Sequence, residues 1–146
     1  MAEAQPVQTF GNHAYRPAAT LVGAVLAAFA FGTFVSRVLK GDHSAVMLAL
    51  LSLSAAVLAL LYMSRVYTTR LQDRIIRLEM RVRAASMLSP EQQQLLNTLG
   101  IKHIAALRFA SDAELSMLLE RAVREKLPPS DIKRAVAAWV ADHHRT

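Results

Sequence analysis

Two uncharged apolar runs, Ala18 to Ser36 and Ser44 to Ser64, separated by seven residues, constrain this chain more than any other feature. Each comes to the roughly 20 residues that an α-helix needs to cross about 30 Å of hydrocarbon. Neither contains Asp, Glu, Lys, Arg or His. The pattern predicts a two-helix transmembrane hairpin over residues 18–64. Ala28-Phe29-Ala30 resembles the small-x-small site of a cleaved signal peptide. The apolar sequence nevertheless continues through Phe31, Phe34 and Val35, and only Arg16 precedes it among basic residues, so a retained helix fits better.

The net charge of +6 is unevenly spread. Residues 65–83 carry Arg65, Arg70, Arg74, Arg77, Arg81 and Arg83 against Asp73 and Glu79, whereas the chain beyond them is nearly balanced. A nucleic-acid binder would place its basic face on the folded soluble part. Here the charge follows the second apolar run, where anionic lipid head groups or a partner would meet it, and nucleic acid is not expected. Lys and Arg beside membrane helices stay in the cytoplasm. The turn 37–43 has two, while Arg16 and the six arginines flank the other side, so both termini are expected in the cytoplasm. Cysteine is absent, which excludes disulfides, thiolate metal sites and thiol nucleophiles.

Small residues form stripes on both apolar runs. Thr20, Ala24, Ala28, Gly32 and Ser36 recur every fourth residue, and Ala45, Ala49, Ser52, Ala56 and Ala59 recur at spacings of four and three. In lipid, close backbone approach through small residues drives helix association. The two stripes are expected to face each other, with Ala24, Ala28 and Gly32 against Ala49, Ser52 and Ala56. The alternative is that one stripe contacts another protein or a second copy.

No glycine or proline lies between Ser64 and Pro90, so the second helix is expected to run on as a basic amphipathic helix over 65–88. Leu71, Ile75, Leu78 and Val82 repeat at spacings of four, three and four, a coiled-coil-like docking seam of about three turns. Asp73 and Arg77 stand at the i,i+4 spacing of a helical ion pair. The seam either receives the chain's own C-terminal domain or pairs with a second copy, and the arginines offer a third use at a lipid surface.

Residues 89–146 read as a small helical domain. Ser89-Pro90-Glu91-Gln92 and Ser111-Asp112-Ala113-Glu114 are capping boxes, the first with proline at the opening helical position. Gly100 is placed to end a short helix, and Pro128-Pro129 separates the last two. Helices are expected near 90–99, 101–109, 112–126 and 130–143, with Leu96, Ile104, Leu107, Phe109, Leu115, Leu119, Ile132 and Trp139 among the core. A domain of this size without metal or disulfide is marginal alone and should dock on the preceding helix or a partner. The fold class expected is therefore all-α: a transmembrane hairpin, its second helix prolonged into the cytoplasm, then four short helices. An N-terminal cytoplasmic segment, 1–17, precedes the hairpin.

Catalytic and cofactor patterns are missing. The sequence has no phosphate loop, nucleophile elbow or H-E-x-x-H pair. Adjacent His143 and His144 would point apart on a helix, His103 reads as a surface or packing residue, and His13 and His43 fall on opposite membrane faces. Neither apolar run offers a histidine to a haem or pigment. No catalytic residue, cofactor or metal is expected.

Asn12-His13, the stretch Arg70 to Glu79, Ala106-Leu107-Arg108-Phe109-Ala110-Ser111-Asp112 with Glu114-Leu115, and Ile132 to Ala135 with Trp139 and Asp142 together resemble an uncharacterised bacterial family of small two-helix membrane proteins. The resemblance covers nearly the whole chain. It implies this architecture and a bacterial inner membrane, and it brings no activity. The function expected is a non-enzymatic accessory subunit or membrane adaptor that sits beside a larger membrane complex and presents its helical domain to a partner. The alternative is a regulatory module that senses a ligand or a signalling protein.

Overall fold

Six α-helices follow one another in the computed structural model, which describes residues 18–141: α1 (Ala18–Leu39), α2 (Ala45–Met87), α3 (Pro90–Thr98), α4 (Ile101–Leu107), α5 (Asp112–Arg124) and α6 (Pro129–Ala135). The all-α class read from the sequence holds, with two long apolar helices followed by smaller ones. The described residues form two units, one ending at Arg70 and the other starting at Leu71. Helix α2 is unbroken through both.

Within the first unit a tight turn joins the two long helices. Gly41 takes a φ of 97°, a left-handed conformation that costs little only without a Cβ. Asp42 then accepts hydrogen bonds from the backbone and hydroxyl of Ser44, at 3.4 and 2.9 Å, and pairs with Arg37 at 3.2 Å. These donors, Ser44 foremost, hold its carboxyl below the usual range. The Ser44 hydroxyl in turn accepts from the Met47 N–H and caps α2. Helix α1 consequently extends to Leu39, past the expected end at Ser36.

The expected facing of the two small-residue stripes is not found. Ala27, Ala30 and Phe34 share a cleft with Leu50, Leu53, Ser54 and Val57. Ala28, Gly32, Ala49, Ser52 and Ala56 are exposed, and Ala24 is half-buried. The residues that line this cleft are mixed in size, from Ala27 and Ala30 to Phe34 and Leu53, rather than alanine against alanine. Ser54 is buried there with its hydroxyl donating to the Leu51 carbonyl at 2.8 Å, so no polar group is stranded.

The second unit has the conventional apolar core. Leu107, Phe109, Leu115, Leu119 and Ile132 are fully buried, and α5 supplies Leu115, Leu118, Leu119 and Ala122 from one face. Each such leucine or isoleucine contributes about 1.5–3 kcal/mol by leaving water. Both capping boxes are formed. Gln92 exchanges bonds with Ser89, and its amide also reaches Ser116 and Glu120 at 2.6 and 2.7 Å, tying α3 to α5.

The last helix ends well before the expected residue 143. Helix α6 stops at Ala135, Val136 is extended, the chain bends at Ala137 and Ala138, and Trp139 is bridged to Ala110. Nothing in Ala137-Ala138-Trp139-Val140 forbids a helix; tertiary bonds override its propensity. The Glu114 carboxylate accepts from the N–H groups of Ala137 and Ala138 at 3.0 and 3.2 Å, and the Val140 N–H reaches the Phe109 carbonyl at 2.8 Å.

Candidate interaction surfaces

Helix α2 presents two different faces within the second unit. Ile76, Met80, Ala84 and Leu88, spaced by four, are buried against the helical domain. The expected seam is not the docking face: Leu71, Ile75, Leu78 and Val82 are 57%, 46%, 62% and 66% exposed. At about 100° per residue the two sets lie about 170° apart around the helix. The domain does dock on the C-terminal part of α2, but on the side opposite the seam. Sequence reading missed this face because Ala84 and the flanking Arg77 and Arg83 dilute its hydrophobicity.

The six arginines separate accordingly. Arg65, Arg70, Arg74 and Arg81 are exposed, and Arg77 is half-buried. Arg81 donates to the Asn97 side chain at 3.3 Å. Arg83 fastens the domain: it pairs with Asp112 at 2.6 Å and donates to the Arg108 and Ala110 carbonyls at 3.2 and 2.7 Å. A guanidinium spread over three acceptors from one loop has little left for a further contact, so Arg83 leaves the set of arginines expected to meet lipid or a partner.

The loop that Arg83 holds is the knot of the domain. Phe109 is sealed inside, its ring stacked on Trp139 with centroids 4.5 Å apart, and the Arg108 guanidinium and Lys133 ammonium stand 4.7 and 5.6 Å from the same ring. Glu114 closes the knot by accepting from Ser111, Ala137 and Ala138. Burial raises its pKa, but the three backbone donors outweigh burial and hold the carboxyl below its ordinary 4.5. The residues that carried the family resemblance, Arg108 to Asp112, Glu114 and Trp139, are therefore occupied in architecture. His103 is half-buried on α4 with Nδ1 enclosed. His13, Asn12, Asp142, His143 and His144 lie outside the described residues.

An open groove of about 400 Å³ runs beside α5, lined by Met117, Leu118, Glu120, Arg121 and Arg124. Arg121 and Arg124 both pair with Glu125, at 3.0 and 3.2 Å. Among the described residues no group of three His, Asp or Glu side chains is placed to hold a metal ion.

These features define a class: an all-helical protein with two helices long and apolar enough to cross a membrane and a small helical domain seated on the continuation of the second. The chain belongs to the family of unknown function DUF6526, whose sequence profile matches residues 4–146. No curated protein and no solved structure matches it.

Proposed function

We propose that this protein is a two-pass anchor in the bacterial inner membrane, with both termini cytoplasmic, and a non-enzymatic accessory subunit or adaptor of a larger membrane complex. One observation carries the membrane half of the reading. Helix α1 carries no charged residue from Ala18 to Ser36 and has no buried residue, with Leu21, Val25 and Phe29 at 67%, 60% and 75% exposure. The core helix of a water-soluble protein would be covered, and contiguous apolar patches of this extent are rare on soluble monomers. Hydrocarbon is the cover that fits.

The adaptor half is supported by what the side chains are used for. Arg108, Asp112, Glu114 and Trp139 hold the domain together, which leaves its outer surface and the free side of α2 for recognition. The exposed Arg65, Arg70 and Arg74 sit where anionic head groups would be, each worth about 1 kcal/mol near such a surface. Purification of tagged protein from gently solubilised native membranes, with mass spectrometry of what accompanies it, tests both halves. The expected result is an alkali-resistant membrane protein that brings a membrane complex with it. Recovery in the soluble fraction would overturn the anchor, and recovery from membranes without companions would overturn the adaptor.

A further inference from the structure

The seam Leu71, Ile75, Leu78, Val82 is a row of four large apolar side chains, all exposed, on the side of α2 that the helical domain does not use. Its spacing of four, three and four assigns Ile75 and Val82 to the a positions of a heptad and Leu71 and Leu78 to the d positions. β-Branched residues at a with leucine at d favour two parallel strands. The flanks agree. In that register Arg74 is a g residue and Glu79 the e residue five positions on, the pair that meets across a parallel two-stranded coil. Opposite charges then face each other twice, once on each side of the two-fold axis. An antiparallel pair would instead bring g against g and set Arg74 and Arg81 against arginines. Among the described residues Arg74 and Glu79 are both exposed and neither takes part in an ion pair within the chain.

We propose that the occupant of this seam is the same seam of a second copy, so that the protein is a parallel homodimer through residues 71–82 of α2. The seam is shorter than three heptads, too little for a strong coil between free chains. The inference therefore rests on the membrane anchor proposed above, which holds copies in one plane, points their α2 helices the same way and raises their effective concentration. Lipid insertion does by geometry what further heptads do in a soluble coiled coil.

The absence of native cysteine makes the test direct in the full-length protein in its own membranes. In a parallel coil a and d residues adjoin their own counterparts, so Leu78→Cys and Val82→Cys should each form disulfide-linked dimers under mild oxidation, and Arg70→Cys, at a c position off the seam, should not. Arg74→Glu alone should lower the linked fraction of Leu78→Cys several-fold, and Arg74→Glu with Glu79→Arg should restore it. Linking of Leu78→Cys no greater than that of Arg70→Cys would overturn the proposal. So would failure of the double exchange to rescue, because only the parallel self-pair predicts recovery. Monomers in which Cys at 78 is shielded from a maleimide would assign the seam to residues 1–17 of the same chain, and this too would overturn it. Extraction of the same membranes with alkali separates the two readings: a protein that washes off yet cross-links would sink the anchor and leave the pairing standing.

Discussion

Glu114 accepts three backbone donors from two stretches of chain more than 20 residues apart, Ser111 on one side and Ala137 and Ala138 on the other. A carboxyl whose folded pKa lies below its unfolded value stabilises at pH above the unfolded value, and the contribution disappears as pH falls through the folded one. The segment 136–141 should therefore loosen in acid below about pH 4.5, the ordinary value from which Glu114 is depressed. Trp139 is the only tryptophan and reports the change by fluorescence. Glu114→Gln should show the loosened signal already at neutral pH and no acid step; an acid step of undiminished size would refute the assignment. Trp139→Ala removes the ring stacked on Phe109, and should cost about 2–3 kcal/mol, below the range for a fully buried aromatic because the indole is partly exposed. Chemical denaturation of the full-length protein in detergent measures it. Lys126 follows α5 with a φ of 50°, a conformation that strains any side chain with a Cβ. Lys126→Gly should raise stability by about 0.5–1 kcal/mol in the same assay, and a loss would mean that the lysine side chain outweighs the strain.

Helix starts were legible in the sequence because their signals are local. The boxes at Ser89 and Ser111 and the proline at position 90 mark α3 and α5 within a residue, and the lack of any breaker from 45 to 89 announces α2. Helix ends and docking faces were not, because they depend on partners distant in sequence. Residues 136–141 carry no stop signal, and α6 ends where Glu114 and Phe109 claim the backbone. The most hydrophobic seam of α2 stands out in the sequence, while the face that docks the domain contains Ala84 and is edged by Arg77 and Arg83, and Arg83 looks solvated until Asp112 and the Ala110 carbonyl are brought to it. A sharp contrast between the two faces follows. Ile76→Asp with Met80→Asp buries charge in the core and should expose residues 89–141 to limited proteolysis. Ile75→Asp with Leu78→Asp, on the exposed side, should leave the domain equally protected. Release of the domain by the second pair and not the first would reverse the assignment of faces.

For the molecule as a whole, the proposed topology puts the turn after α1 across the membrane from the arginines of α2. Lys40→Cys should react with an impermeant maleimide from the periplasmic side, and cysteines at positions 5 and 146 only after the membrane is opened; labelling of position 146 in sealed cells would invert the orientation. The opposition of seam and domain on α2 has a consequence for valency. If the seam closes on its twin, neither domain is covered by the act of pairing, and both stand outward with their knots, grooves and exposed Met117 available. The assembly is then a two-handed receptor surface rather than a masked one. A partner that is itself repeated or clustered gains from holding both hands, by a factor of about 10²–10⁴ where the geometry permits, and a monomeric partner gains nothing.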